Sequence, residues 1–105
     1  MLREEVVVSI LRFYPESTDD PLAKFTASCT LLWESHDVVW VKALTGTLSR
    51  SNLKAFLKFI LDKNIRLVKA IRANESLPFA TKQDGNYCEI DVELRKERFQ
   101  QILRG

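Results

Sequence analysis

A chain of 105 residues, 46% hydrophobic and 29% charged with a net charge of +2, has the size and composition of one domain with its own core, expected over residues 1–105. That balance excludes a disordered chain, and three Gly and three Pro exclude collagen-like and low-complexity architectures. No apolar run approaches the ~20 residues of a membrane span, and MLREEVVVSILRFYPE lacks the pattern of a secretory leader, so a cytoplasmic protein without membrane attachment is expected.

Val6 to Phe13 is rich in β-branched residues and predicts a first strand. PESTDDP follows, with Pro15 and Pro21 bracketing small acceptor side chains, as in a turn. From Lys24 to Trp33, the residues Phe25, Ala27, Cys29, Leu31 and Trp33 alternate with Lys24, Thr26, Ser28 and Thr30. That is the period of a strand with one buried face. ESHD connects it to a third strand, Val38 to Leu44, completing an antiparallel meander. Ser49 is the candidate N-cap of a helix, and Leu48 and Leu53 stand where a hydrophobic staple needs them. Leu53, Phe56, Leu57, Ile60 and Leu61 form that helix's apolar face. Asn64 supplies a left-handed stop, and Ile65 to Arg72 a fourth strand. Asp84-Gly85 favours a type I′ turn between PFATK and NYCEIDV. Leu94, Arg98, Phe99, Ile102 and Leu103 place an amphipathic helix at the end, capped by Asp91. The order βββ-α-ββ(β)-α predicts an α+β fold, a mainly antiparallel sheet with two helices packed on it.

Charge is unevenly spread. The window Arg50 to Arg72 holds seven basic residues and one acid, so it carries +6 and leaves the remainder at −4. Arg50, Lys54 and Lys58 form one i, i+4 stripe, and Arg66 and Arg72 share a strand face by parity. Several cations on one surface are what binding of a phosphate backbone requires, so these five are the candidates for sequence-nonspecific nucleic-acid binding. The opposing reading is the solvated side of an ordinary helix and strand.

The remaining chemistry is sparse. His36 is the only histidine, which excludes a multi-histidine metal centre, and adjacent Ser35, His36 and Asp37 in a turn cannot form a catalytic relay. Cys29 and Cys88 fall at inward strand positions and read as core. Glu89, Asp91 and Glu93 alternate along the last predicted strand and read as a solvated face that protects an edge. Trp33 falls with the core set, whereas Trp40 can either meet it across the hairpin or stand exposed as an interface anchor. No catalytic residue, metal or cofactor is expected.

The first expectation is therefore a small non-catalytic interaction module, self-associating or binding a protein partner through Phe59, Trp40 and Tyr87. Nucleic-acid binding through the basic window is the alternative. A second alternative rests on LTGTLS, where Gly46 and Ser49 lie between a strand and a helix. This strand–loop–helix–strand order is similar to the cofactor-binding half of acetyl-CoA-dependent N-acetyltransferases, although that family's loop is Gly- and Arg-rich and this one has Gly46 and Arg50 only. The resemblance implies a reduced acyl-CoA-binding domain using the loop from Thr45 to Ser49.

Overall fold

Alternation decides the sheet. The computed structural model describes residues 1–2, 7–14, 24–46, 49–72 and 78–105. Its strands are β1 (Val8–Phe13), β2 (Ala27–Ser35), β3 (Val38–Gly46), β4 (Leu67–Ile71), β5 (Lys82–Asp84) and β6 (Tyr87–Asp91). Helix α1 (Arg50–Asp62) lies between β3 and β4, and α2 (Val92–Arg104) ends the chain. The six strands form one sheet in the order β1-β2-β3-β4-β6-β5. Every neighbouring pair is antiparallel except β3 and β4, which run parallel because α1 carries the chain back across the sheet. The fold is α+β, with both helices contributing to a core built on one face of the sheet.

The core takes one residue set from every strand but β5: Phe13, Ala27, Cys29, Leu31, Val39, Val68, Ala70, Cys88 and Ile90. Leu57 and Ile60 of α1 and Val92 and Phe99 of α2 close over them. Ser49 caps α1, its side chain accepting from the Asn52 N–H, and Asp91 caps α2 by accepting from the Glu93 and Leu94 N–H groups. At the other end of α1, Asn64 N–H donates to the Leu61 carbonyl and Ile65 N–H to the Ile60 carbonyl, with Asn64 at φ 55°. That is a Schellman stop, and it sends the buried Ile65 into the core. Leu48 and the Pro15–Pro21 segment lie outside the described residues.

Several local expectations are corrected. β2 begins at Ala27, and Phe25 is 47% exposed, because the inward set runs only from Ala27. β5 is Lys82–Asp84, so PFATK contributes to the hairpin only through Lys82, which pairs with Glu89, and Thr81, which hydrogen-bonds Glu89 and Asp91. Glu93 is in α2 rather than on a strand with Glu89 and Asp91, and the edge strand on that side is β5, not β6. Leu94 is 70% exposed, leaving Val92 and Phe99 as the buried residues of α2. Trp33 and Trp40 are not a cross-strand pair: Trp33 is opposite Val39 and Trp40 opposite Leu32, so the rings leave opposite faces.

Candidate functional site

The parallel pair β3–β4 is where the sheet changes direction of growth, since β2 and β1 extend from β3 while β6 and β5 extend from β4. In open sheets, a crevice forms outside the carboxyl ends of strands at such a point. Here β3 and β4 pair only from Val38↔Leu67 to Val41↔Ala70. Beyond Val41, β3 continues to Gly46 against β2 alone. Residues 42–46 thus turn a strand edge toward the gap, and among the described residues no strand pairs with it.

Two backbone features shape this edge. Ala43 and Leu44 stand opposite the single residue Cys29, and Ala43 takes φ 52°, a bulge of the kind that re-aims a strand beside a site. At Gly46, with φ 83°, an added Cβ would lie 2.3 Å from the Thr26 carbonyl oxygen and 2.8 Å from Ala27 Cα, so only glycine lets the chain cross β2 there. The helix that follows is tied to the same place. Asn52, buried in the first turn of α1, donates from Nδ2 to Thr26 Oγ1 at 3.3 Å, and Thr26 Oγ1 donates to the Phe13 carbonyl.

Under the first half of α1 lies an apolar cleft of about 40 Å3, floored by Cys29, Val41 and Ile90 and walled by Leu44, Phe56 and Phe79. That is a few times the ~10–15 Å3 that one water molecule occupies. Arg72 is its charged lining residue. Phe79 is held there at φ 63°, an unfavourable backbone for a bulky residue. Arg95 fixes it by donating from Nε to the Phe79 carbonyl at 3.2 Å and from Nη2 to the Ala80 carbonyl at 3.3 Å, while the ring stands edge-on to Phe99. Cys29 is no nucleophile in this cleft, because burial pushes its thiol up to about 11.

Of the basic residues singled out by sequence, Arg50, Lys54 and Lys58 follow one another at i, i+4 along α1, while Arg66 and Arg72 flank opposite ends of β4. Lys58 pairs with Asp62 at 2.6 Å and Arg66 with Asp37 at 3.3 Å, while Lys54 Nζ donates to the Gly105 carbonyl oxygen. Arg50 is exposed at the start of α1, Arg66 precedes β4 beside the β2–β3 turn, and Arg72 lines the cleft beyond the other end of β4. Of the three interface candidates, Trp40 and Tyr87 meet with ring centroids 5.8 Å apart, whereas Phe59 packs against the helix-side core.

Trp40 and Tyr87 stand on the sheet face opposite the one that α1 and α2 cover, which carries no helix among the described residues. Lys69 stands in register between Trp40 and Glu89, with Nζ 5.2 Å from the centre of the Trp40 ring and 3.1 Å from Glu34 Oε2. Its hydrogen bond, with one from Trp40 Nε1, holds the Glu34 carboxyl below its ordinary value. Burial pushes the Tyr87 hydroxyl up to about 12, helped by its bond to Glu89 Oε2 at 2.5 Å. At the β2–β3 turn, the Ser35 hydroxyl and then Arg66 hold Asp37 low, while His36 remains exposed.

Among the described residues, no group of three His, Cys, Asp or Glu side chains could hold a metal ion, and no helix is long and apolar enough to cross a membrane. The cleft was not legible in sequence, where Gly46 and Ser49 marked only the loop between β3 and α1. The Ala43 bulge, Phe79 and the clamp by Arg95 had no signal, since each depends on a partner distant along the chain.

No protein-family model matches the chain, and no curated protein matches it. Among solved structures, it is similar to the crystal structure of Tetrahymena GCN5, with a TM-score of 0.53 and 10% identity over 82% of this chain and 69% of that one. At that identity the likeness is one of fold.

Proposed function

We propose that this chain binds an acyl-CoA through the gap between β3 and β4. The observation that supports it best is the parting of the two parallel strands beside an apolar cleft. The amide-bearing arm of such a ligand would lie as an extra strand along the edge of residues 42–46. A cleft of about 40 Å3 would seat a short acyl group rather than a long chain. Arg72 at the cleft and the start of α1 behind Ser49 would face the phosphates. The strand–loop–helix–strand order, which resembles that of acetyl-CoA-dependent N-acetyltransferases, agrees with this reading by analogy.

Thermal unfolding with acetyl-CoA is the direct test. A ligand that binds only the folded chain stabilises it by about 1.4 kcal/mol at ten times its Kd, several degrees for a domain of this size. An unchanged melting temperature at millimolar acetyl-CoA overturns the proposal. Leu44→Trp, which fills the cleft, should remove the shift while leaving the fold intact by circular dichroism.

A second reading makes the chain an interaction module that docks through its helix-free face. What favours it is apolar exposure on that face, with Val8 at 50%, Ile10 at 60%, Leu32 at 36% and Ile71 at 69%. Single exposed apolar residues are ordinary, but neighbours on one face are a contact surface. Glutamate at Ile10 would abolish any such docking without touching the core.

A further inference from the structure

We infer that the occupant of the helix-free face is a second copy of this chain, packed sheet against sheet. The inference rests on the reading of that face as a docking surface. Register places its side chains in rows. Val8, Leu32, Trp40, Lys69, Glu89 and Lys82 form the central row from β1 to β5. Ile10, Thr30 and Lys42 run beside it on one half, and Ile71, Tyr87 and Asp84 on the other. Arg12 joins the first half, its guanidinium 5.5 Å from the centre of the exposed Phe25 ring.

Among the described residues, the two halves carry opposite charge. Arg12 and Lys42 lie on the half made by β1, β2 and β3, where Glu34 is already neutralised by Lys69. Asp84, Glu89 and Asp91 lie on the β6 and β5 half, against Lys82 alone. A twofold axis running along the strands between β3 and β4 lays the basic half of one copy over the acidic half of the other. Both contacts then form at once, as a closed isologous dimer requires. The apolar residues Val8, Ile10 and Leu32 would meet the partner's outer strands, and the Trp40–Tyr87 pair would lie near the axis.

Area is consistent with a dimer of modest affinity. Six strands about 4.8 Å apart and about 20 Å long on average make a face of roughly 600 Å2 per copy. Two such faces bury about 1,200 Å2, the lower end of specific interfaces. The charge pattern therefore sets the partner.

Sedimentation of the purified chain from micromolar to millimolar concentration should show a monomer–dimer equilibrium. Two charge variants sharpen it. Arg12→Glu with Lys42→Glu makes both halves acidic, and Asp84→Lys with Glu89→Lys makes both halves basic. Each should dimerise at least about tenfold more weakly than the wild type, while an equimolar mixture should form a heterodimer. A strict monomer at every concentration overturns the inference, as does dimerisation that neither variant weakens. A photoreactive residue at position 10, exposed and outside the core, serves if a charge variant fails to fold. Adducts between copies that map to β5 and β6 support the inference. Adducts only with other proteins in lysate overturn the second copy but keep the face as a docking surface. No adduct of either kind overturns both.

Discussion

The two faces of the sheet use the same strands to opposite ends. On the helix side, Ala27, Cys29, Leu31, Val39, Val68, Ala70, Cys88 and Ile90 are sealed beneath α1 and α2. On the other side, one residue further along each strand, Ser28, Thr30, Leu32, Trp40, Lys69 and Glu89 form a mixed surface of rings, aliphatic groups and paired charges. The covered face gains its stability from apolar burial, about 25 cal/mol per Å2, whereas ion pairs near the surface contribute little each. Stability should therefore depend on the first face, and recognition on the second face and on the cleft where β3 and β4 part.

The sharpest attack on that division is Phe99→Ala. The ring is fully buried and stands edge-on to Phe79, so its loss should cost about 3–5 kcal/mol in urea unfolding and loosen the Phe79 wall of the cleft. If the substitution costs under about 1 kcal/mol, the helix side is not the core. Gly46→Ala comes next. Its positive φ and the carbonyl 2.3 Å from an added Cβ predict a loss of about 2–3 kcal/mol, and weaker acetyl-CoA binding because the same turn positions α1. Asp91→Ala removes the side-chain cap of α2 and should cost about 1 kcal/mol.

Smaller effects belong to the surface charges. Glu34 and Asp37 both have carboxyls held below their ordinary values of 4.5 and 3.8 in the folded chain. Such groups stabilise the fold fully above those values, and the contribution is lost as pH falls through their lower folded values. Glu34→Gln should therefore lower the urea midpoint at neutral pH and leave it nearly unchanged at strongly acid pH, flattening part of the acid limb of a midpoint-against-pH curve. Smallest of all, breaking the exposed Lys58–Asp62 pair with Lys58→Ala should shift stability by about 0.3–0.5 kcal/mol, an effect that vanishes in high salt.

Legibility followed the range of the interactions. The Ser49 and Asp91 caps and the Asn64 stop depend on neighbours a few residues away, and each stood in the sequence as it stands in the fold. The turn after Asp84 is where it was expected, but with positive φ at Gly85 and not at Asn86 it is not type I′, and β2 alternates only from Ala27. The pairing of Trp40 with Tyr87, the separation of Arg66 from Arg72 and the clamp by Arg95 on Phe79 depend on strand order and packing. Parity along a strand says which residues share a face, but not which strand lies beside it.

By itself the sequence determined the kinds of element, most of their ends and which side of each strand is apolar, because capping, turn chemistry and periodicity act over one or two turns of chain. Only the tertiary structure decided that β4 lies parallel to β3, that the two part beyond Val41 and that both helices cover the same face. Those outcomes follow from burying every apolar stripe at once, a condition met by the assembled sheet and helices together and by no segment alone.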